Sequence, residues 1–100
     1  MTRYILSDDA DRDLESVWDY IAEDNLAAAD QWLATLFDAF EIIAQNPRVG
    51  HERRDLTAHA VLFWSVSAYL IIYRVKSNLV EIVAVTQGGR DIPAFLDHRL

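Results

Sequence analysis

The stretch VEIVAVTQGGRDIPAFL, residues 80–96, decides how the chain is read. Its first half is an apolar, β-branched run of the kind that packs in a strand. It then meets two glycines, an arginine, an aspartate and a proline before closing on Phe95 and Leu96. A buried strand that ends by presenting a single arginine raises the question of what that arginine is for. Gly88 and Gly89 are expected to turn the chain with positive φ. Asp91 is placed to hold the Arg90 guanidinium, and Pro93 to stiffen the exit. Arg90 then either faces a partner or serves as a clamp that fixes the tail to Asp91 or to helix carboxylates.

Working back from this tail, YLIIYRV at 69–75 and HAVLFWSV at 59–66 are also β-branched and aromatic. They are separated from each other by Ser67-Ala68, and from LVEIVAVT at 79–86 by Lys76-Ser77-Asn78. Connections this short demand an antiparallel meander. With turns of two and three residues, Val66 faces Tyr69 and Val75 faces Leu79. Leu62, Trp64, Val66, Tyr69, Ile71, Tyr73, Glu81, Val83 and Val85 then share one face, and Val61, Phe63, Ser65, Leu70, Ile72, Arg74, Val80, Ile82 and Ala84 the other. Both faces are apolar, and a helical layer covers only one. The second calls for the DIPAFL tail, self-association or another chain, and a partner is expected there in addition to the tail.

The N-terminal half has the helical period. RYIL at 3–6 is a short strand, after which Ser7 caps a helix with Asp8 and Asp9 at its positive end. Leu14, Val17, Trp18 and Ile21 form one stripe of that helix. Asn25 caps a second helix, whose stripe runs through Ala29, Trp32, Leu33, Leu36, Phe37, Phe40, Ile43 and Ala44 until Asn46-Pro47 stops it. Two amphipathic helices with so short a link form an antiparallel hairpin. The expected fold is α+β, in the order β-α-α-β-β-β, with the N-terminal strand and helical hairpin packed on a small antiparallel sheet. The 100 residues read as a single domain, 1–100.

Composition narrows the function. Apolar residues make up 52% and charged residues 25%, with three glycines and two prolines, which is a globular balance. The chain has no cysteine, and its three histidines, His51, His59 and His98, lack metal-binding spacing, so neither metal nor cofactor is expected. No apolar run approaches the roughly 18 residues of a membrane span, and MTRYILSDDADRD lacks a signal peptide's apolar centre, so a cytoplasmic location is expected. The net charge of −7 is uneven. Residues 1–45 set two arginines against eleven acids, and residues 46–100 set seven cations against five acids. Any basic surface therefore belongs to the C-terminal half.

The ordered set SDDADRDLESVWDYIAEDN, AADQWLATLFDAFEIIAQNPRVG, YLIIYRV and VEIVAVTQGGRDIPAFL resembles the ParE branch of the ParE/RelE toxins of type II toxin-antitoxin systems. The resemblance extends from about residue 4 to residue 96, and NPRVG before the meander and GGRDIP after it are its most specific pieces. It implies a toxin bound by a ParD-like antitoxin, whose C-terminal segment folds over apolar patches of the toxin surface. Trp64, Tyr69, Ile71, Trp32 and Phe37 are the candidates for that contact.

The resemblance also implies a choice of target. ParE-like toxins inhibit DNA gyrase, whereas RelE-like relatives cleave mRNA on the ribosome and need cations and proton-transfer groups at the scissile phosphate. Here Ala68 stands where the family commonly has a basic residue. Phe95 has no proton to transfer, and Gln87 replaces the histidine common before the tail. Gyrase inhibition is therefore the favoured reading, with Arg90, Asp91, Gln87, Arg74 and Tyr73 as candidates for the toxic surface. No catalytic residue and no direct nucleic-acid binding are expected of the toxin alone. The alternatives are a RelE-like ribosome-dependent mRNA endonuclease and a non-toxic partner that modulates antitoxin autoregulation.

Overall fold

Ser7 ends one element and starts the next. Its backbone N–H donates to the carbonyl of Ile82 at 2.9 Å, and its side chain accepts the N–H of Ala10 at 3.0 Å. The computed structural model, which describes residues 3–100, thus places strand β1 (Arg3–Leu6) directly before helix α1 (Asp8–Ala22). Asn25 caps helix α2 (Leu26–Gln45) through a bond from Ala28 N–H at 2.9 Å. The Trp18 indole donates to Asp30 at 3.1 Å and ties the two helices together. A meander follows, of β2 (Leu62–Val66), β3 (Tyr69–Lys76) and β4 (Leu79–Gln87), and then a short helix, α3 (Ile92–Asp97).

The sheet has the order β1-β4-β3-β2, with β1 parallel to β4 and the other pairs antiparallel. A parallel neighbour requires a crossover, which the helical hairpin begins. Leu36, Phe40 and Ile43 of α2 and Leu14 of α1 pack with Ile71, Tyr73, Val80, Ile82 and Val85 in the main core. Of the expected α1 stripe only Leu14 is buried; Val17, Trp18 and Ile21 are half-buried.

Two features of the meander differ from the sequence expectation. The β3–β4 turn has two residues, Ser77 and Asn78, so Lys76 faces Leu79 and Val75 faces Val80. A bulge then leaves Val83 as an extra residue, since Tyr73 pairs with Ile82 while Ile72 pairs with Ala84. A one-residue slip moves every side chain to the other face, and a bulge moves them back. Val80 and Ile82 therefore face the helices, and Val83 lies on the opposite face. Glu81 pairs across the strands with Arg74. Strand β2 begins at Leu62 rather than His59, and its outer edge is met by His51, which exchanges two backbone bonds with Phe63.

The second apolar face is also closed differently. Val61, Phe63, Ile72, Val83 and Ala84 are buried with Ile92 and Leu96 of α3, and Leu56, Leu70 and Phe95 pack at the margin. The tail, as a helix, covers the face on which an additional partner was expected. No glycine among the described residues has positive φ; Ser67 and Ser77, in the two hairpin turns, carry it instead, at 56° and 55°. Two-residue hairpin turns require a left-handed residue to match the twist of the strands, and serine occupies that place in both.

Candidate functional site: an acidic groove, an aromatic rim and an anchored arginine

The two helices leave a groove between them, about 240 Å³ in volume, lined by Leu14, Trp18, Leu33 and Phe37, with Asp11 and Glu15 at its margin. Phe37 is 37% exposed and meets Phe40 edge-on at 5.7 Å. Such a groove, apolar inside and acidic outside, fits an amphipathic helix whose flanks are basic.

Beside the hairpin lies a rim of aromatic side chains. Trp32 meets Tyr69 edge-on at 5.4 Å, and Trp64 and Val66 of β2 pack half-buried against the same core. The indole N–H of Trp32 is buried without a hydrogen-bond acceptor. Ile71, expected with this group, is wholly buried, because the helical layer covers the middle of β3. It supports the rim from below and offers no surface to a partner.

The candidates for the toxic surface separate into two groups. Gln87, Arg90 and Asp91 are exposed around the turn that leaves β4. Asp91 does not clamp Arg90; its carboxylate accepts the N–H of Ala94 at 3.3 Å and caps α3, while the Arg90 guanidinium lies 4.7 Å from the centroid of Phe95. A cleft between α1 and the end of β4 joins Gln87 and Arg90 to Asp13, Ser16 and Thr86.

Tyr73 and Arg74 are elsewhere. The ring of Tyr73 is 0% exposed, and its hydroxyl donates to the Pro47 carbonyl at 2.7 Å and accepts from Gly50 N–H at 2.9 Å. Burial pushes this phenol's pKa up, opposed by the Gly50 bond. Tyr73 was expected on the toxic surface; it instead holds the NPRVG segment against the sheet. Arg74 forms its ion pair with Glu81 on a face where it lines a shallow cleft with Pro47, Arg48 and Glu52. The other loop cations are paired locally, Arg53 with Asp55 and Arg54 with Glu52. The Arg53 hydrogen bond lowers the Asp55 pKa.

One ion pair had no place in the sequence reading. Arg99 binds Asp13 through both terminal nitrogens at 2.6 Å, and these side chains are only 17% and 13% exposed. Asp13 also accepts the N–H of Val85 at 2.9 Å. The spacing of Phe95 and Arg99, four residues apart at the end of a capped tail, was the local signal; their partner on α1 was not visible.

The order β-α-α-β-β-β, with β1 parallel to β4 and a helical hairpin on the sheet, is an α+β scaffold of the ParE-like class. The chain belongs to the family described as ParE toxin of type II toxin-antitoxin system, parDE, whose model matches residues 4–92. Among solved structures it is similar to a chain of the chromosomal ParDE TA system from P. aeruginosa. The TM-score is 0.74 at 17% identity, over 87% of this chain and 96% of that one. No curated protein sequence matches it at a significant level. No helix among the described residues is long and apolar enough to cross a membrane.

Proposed function

We propose that this ParE-family toxin acts in the cytoplasm by binding and inhibiting DNA gyrase, and that a ParD-like antitoxin silences it. The antitoxin's amphipathic segment folds into the groove at Trp18, Leu33 and Phe37 and along the rim of Trp32, Trp64 and Tyr69. The similarity to a ParDE chain supports such a partner. So does the acidic border of the groove, which favours basic residues in the segment that fills it.

The observation that carries the choice of target is the environment of Arg90. It is an exposed cation held against Phe95, and the neighbouring side chains Gln87 and Phe95 have no titratable proton to give a scissile phosphate. Arg74 is engaged by Glu81, and the Tyr73 hydroxyl is committed to Pro47 and Gly50. The arrangement supports contact with a protein surface over cleavage of RNA.

Inducing the chain without its antitoxin tests this. Filamentation with a DNA-damage response is the expected result, together with inhibition of supercoiling by purified gyrase. Rapid translation arrest with cut transcripts would replace the reading by a ribonuclease, and normal growth by a non-toxic modulator of the antitoxin.

A further inference from the structure

The ring of Phe95 carries two guanidinium groups, that of Arg99 at 4.1 Å and that of Arg90 at 4.7 Å from its centroid. Two cations against one aromatic ring repel each other unless the charge of one is offset. Arg99 meets that condition, since Asp13 engages both of its terminal nitrogens in a nearly buried fork. The fork is fixed at both ends. Asp13 accepts from Val85 N–H, and Arg99 donates to the Val83 carbonyl at 3.3 Å. A continuous series of contacts thus runs from helix α1 through Asp13, Arg99 and Phe95 to Arg90.

Arg90 sits in a turn closed by two backbone bonds, Gly88 N–H to the Ala68 carbonyl at 3.1 Å and Arg90 N–H to the Gln87 carbonyl at 3.2 Å, but among the described residues Arg90 has no side-chain hydrogen bond or ion pair. It follows two glycines, and a β-carbon on Gly88 would have its nearest neighbour at 3.8 Å while one on Gly89 would meet nothing within 4 Å. The position of the guanidinium then depends on the ring beneath it.

Resting on the proposed role of Arg90, we infer that Asp13, Phe95 and Arg99 are positioning residues that fix the Arg90 guanidinium for its target. The ion pair neutralises Arg99 so that Phe95 accepts a second cation. An arginine already held in place loses less freedom on binding, so its contact is stronger than that of a mobile one. The tail therefore has two tasks, to close the second core through Ile92 and Leu96 of α3 and to aim Arg90 through Phe95 and the following Arg99.

Two variants test this with the full chain. Phe95→Leu keeps an apolar anchor and leaves the Asp13–Arg99 fork in place. Asp13→Asn with Arg99→Gln removes the fork without stranding a buried charge. Each is titrated for growth inhibition by graded induction without antitoxin, and its antitoxin affinity is measured on the purified complex. The expected result is a loss of potency of about tenfold for each, with antitoxin Kd within about threefold of the parent. Combined with Arg90→Ala, Phe95→Leu should add nothing further. NMR relaxation of the Arg90 Nε–H group should show a rigid side chain in the parent and a mobile one in Phe95→Leu.

If Phe95→Leu lowers potency equally in the Arg90→Ala background, it acts through the fold, and the inference fails. It fails also if Arg90→Ala loses potency while both positioning variants keep it, or if the Arg90 side chain is equally mobile in the parent. Full potency in Arg90→Ala itself would overturn the assignment of Arg90 to the target surface, and the positioning role with it.

Discussion

The Tyr73 hydroxyl accepts the amide proton of Gly50 at 2.9 Å across 23 residues of sequence, and the space a Gly50 side chain would need is filled by that same tyrosine. A β-carbon at Gly50 would lie 2.6 Å from the hydroxyl oxygen and 2.8 Å from the ring. Gly50 is thus required by close approach, since its φ is not positive. Tyr73→Phe would leave a buried N–H without its acceptor and should cost about 1–3 kcal/mol. Gly50→Ala should cost a similar 1–3 kcal/mol or so by overpacking against a ring that has no room to move. Denaturant titration checks both. A change below a few tenths of a kcal/mol in either would show that the NPRVG segment is not held by this contact.

Alkaline titration should reveal the same tyrosine. Burial raises the Tyr73 pKa, so the folded state keeps its phenolic proton to higher pH than the unfolded chain does. The stability this supplies is fully present below the unfolded value of about 10 and is lost as pH rises from there through the folded-state value. Tyr4 shifts in the same direction, chiefly by burial and also through Glu41, so Tyr73→Phe should flatten the alkaline loss without abolishing it. Melting temperature measured from pH 8 to 12 in the two proteins decides the matter. Parallel curves would assign the alkaline loss elsewhere.

Ser77 occupies left-handed backbone at φ 55° in the β3–β4 turn. A non-glycine residue there is strained by about 1–2 kcal/mol. Ser77→Gly relieves that strain but loosens the unfolded chain by about 0.4–1 kcal/mol, so a net gain of several tenths is expected. The β-branched Ser77→Val should lose stability instead. Thermal melts of the three proteins should rank Gly, Ser, Val; any other order would contradict the turn geometry.

Phe37 tests the groove. Its side chain is partly exposed, so Phe37→Glu gives up an edge contact with Phe40 worth about 1 kcal/mol and otherwise leaves the core intact. On the proposed function it also places a charge where the antitoxin's apolar face docks, and binding should weaken about tenfold or more. Titration calorimetry with the antitoxin measures this directly. An unchanged Kd would move the docking site away from the hairpin.

Local features of the sequence were sufficient for most of the scaffold. Ser7 and Asn25 cap the helices they were expected to cap, Asn46-Pro47 ends α2, and the 3.6-residue period identifies Leu14, Leu36, Phe40 and Ile43 as core. These signals are legible because capping and amphipathicity act within a few residues, where the sequence itself lists the partners.

What the tertiary structure decided lies where local signals are degenerate or distant. With both sheet faces apolar, alternation does not distinguish a two-residue turn plus a bulge at Val83 from a three-residue turn without one. Only packing against α2 and α3 selects the register. The tail was legible as a terminus with a presented arginine, but its helix, and the coverage it gives Phe63 and Ile72, depend on where Ile92 and Leu96 find apolar surface. Asp13 and Arg99 are separated by 86 residues, and Tyr73 is 26 from Pro47. A carboxylate, a guanidinium and a phenol read singly are surface groups by default. Folding brings each to a partner that makes burial affordable, and that pairing is a property of the assembled layers and not of any segment.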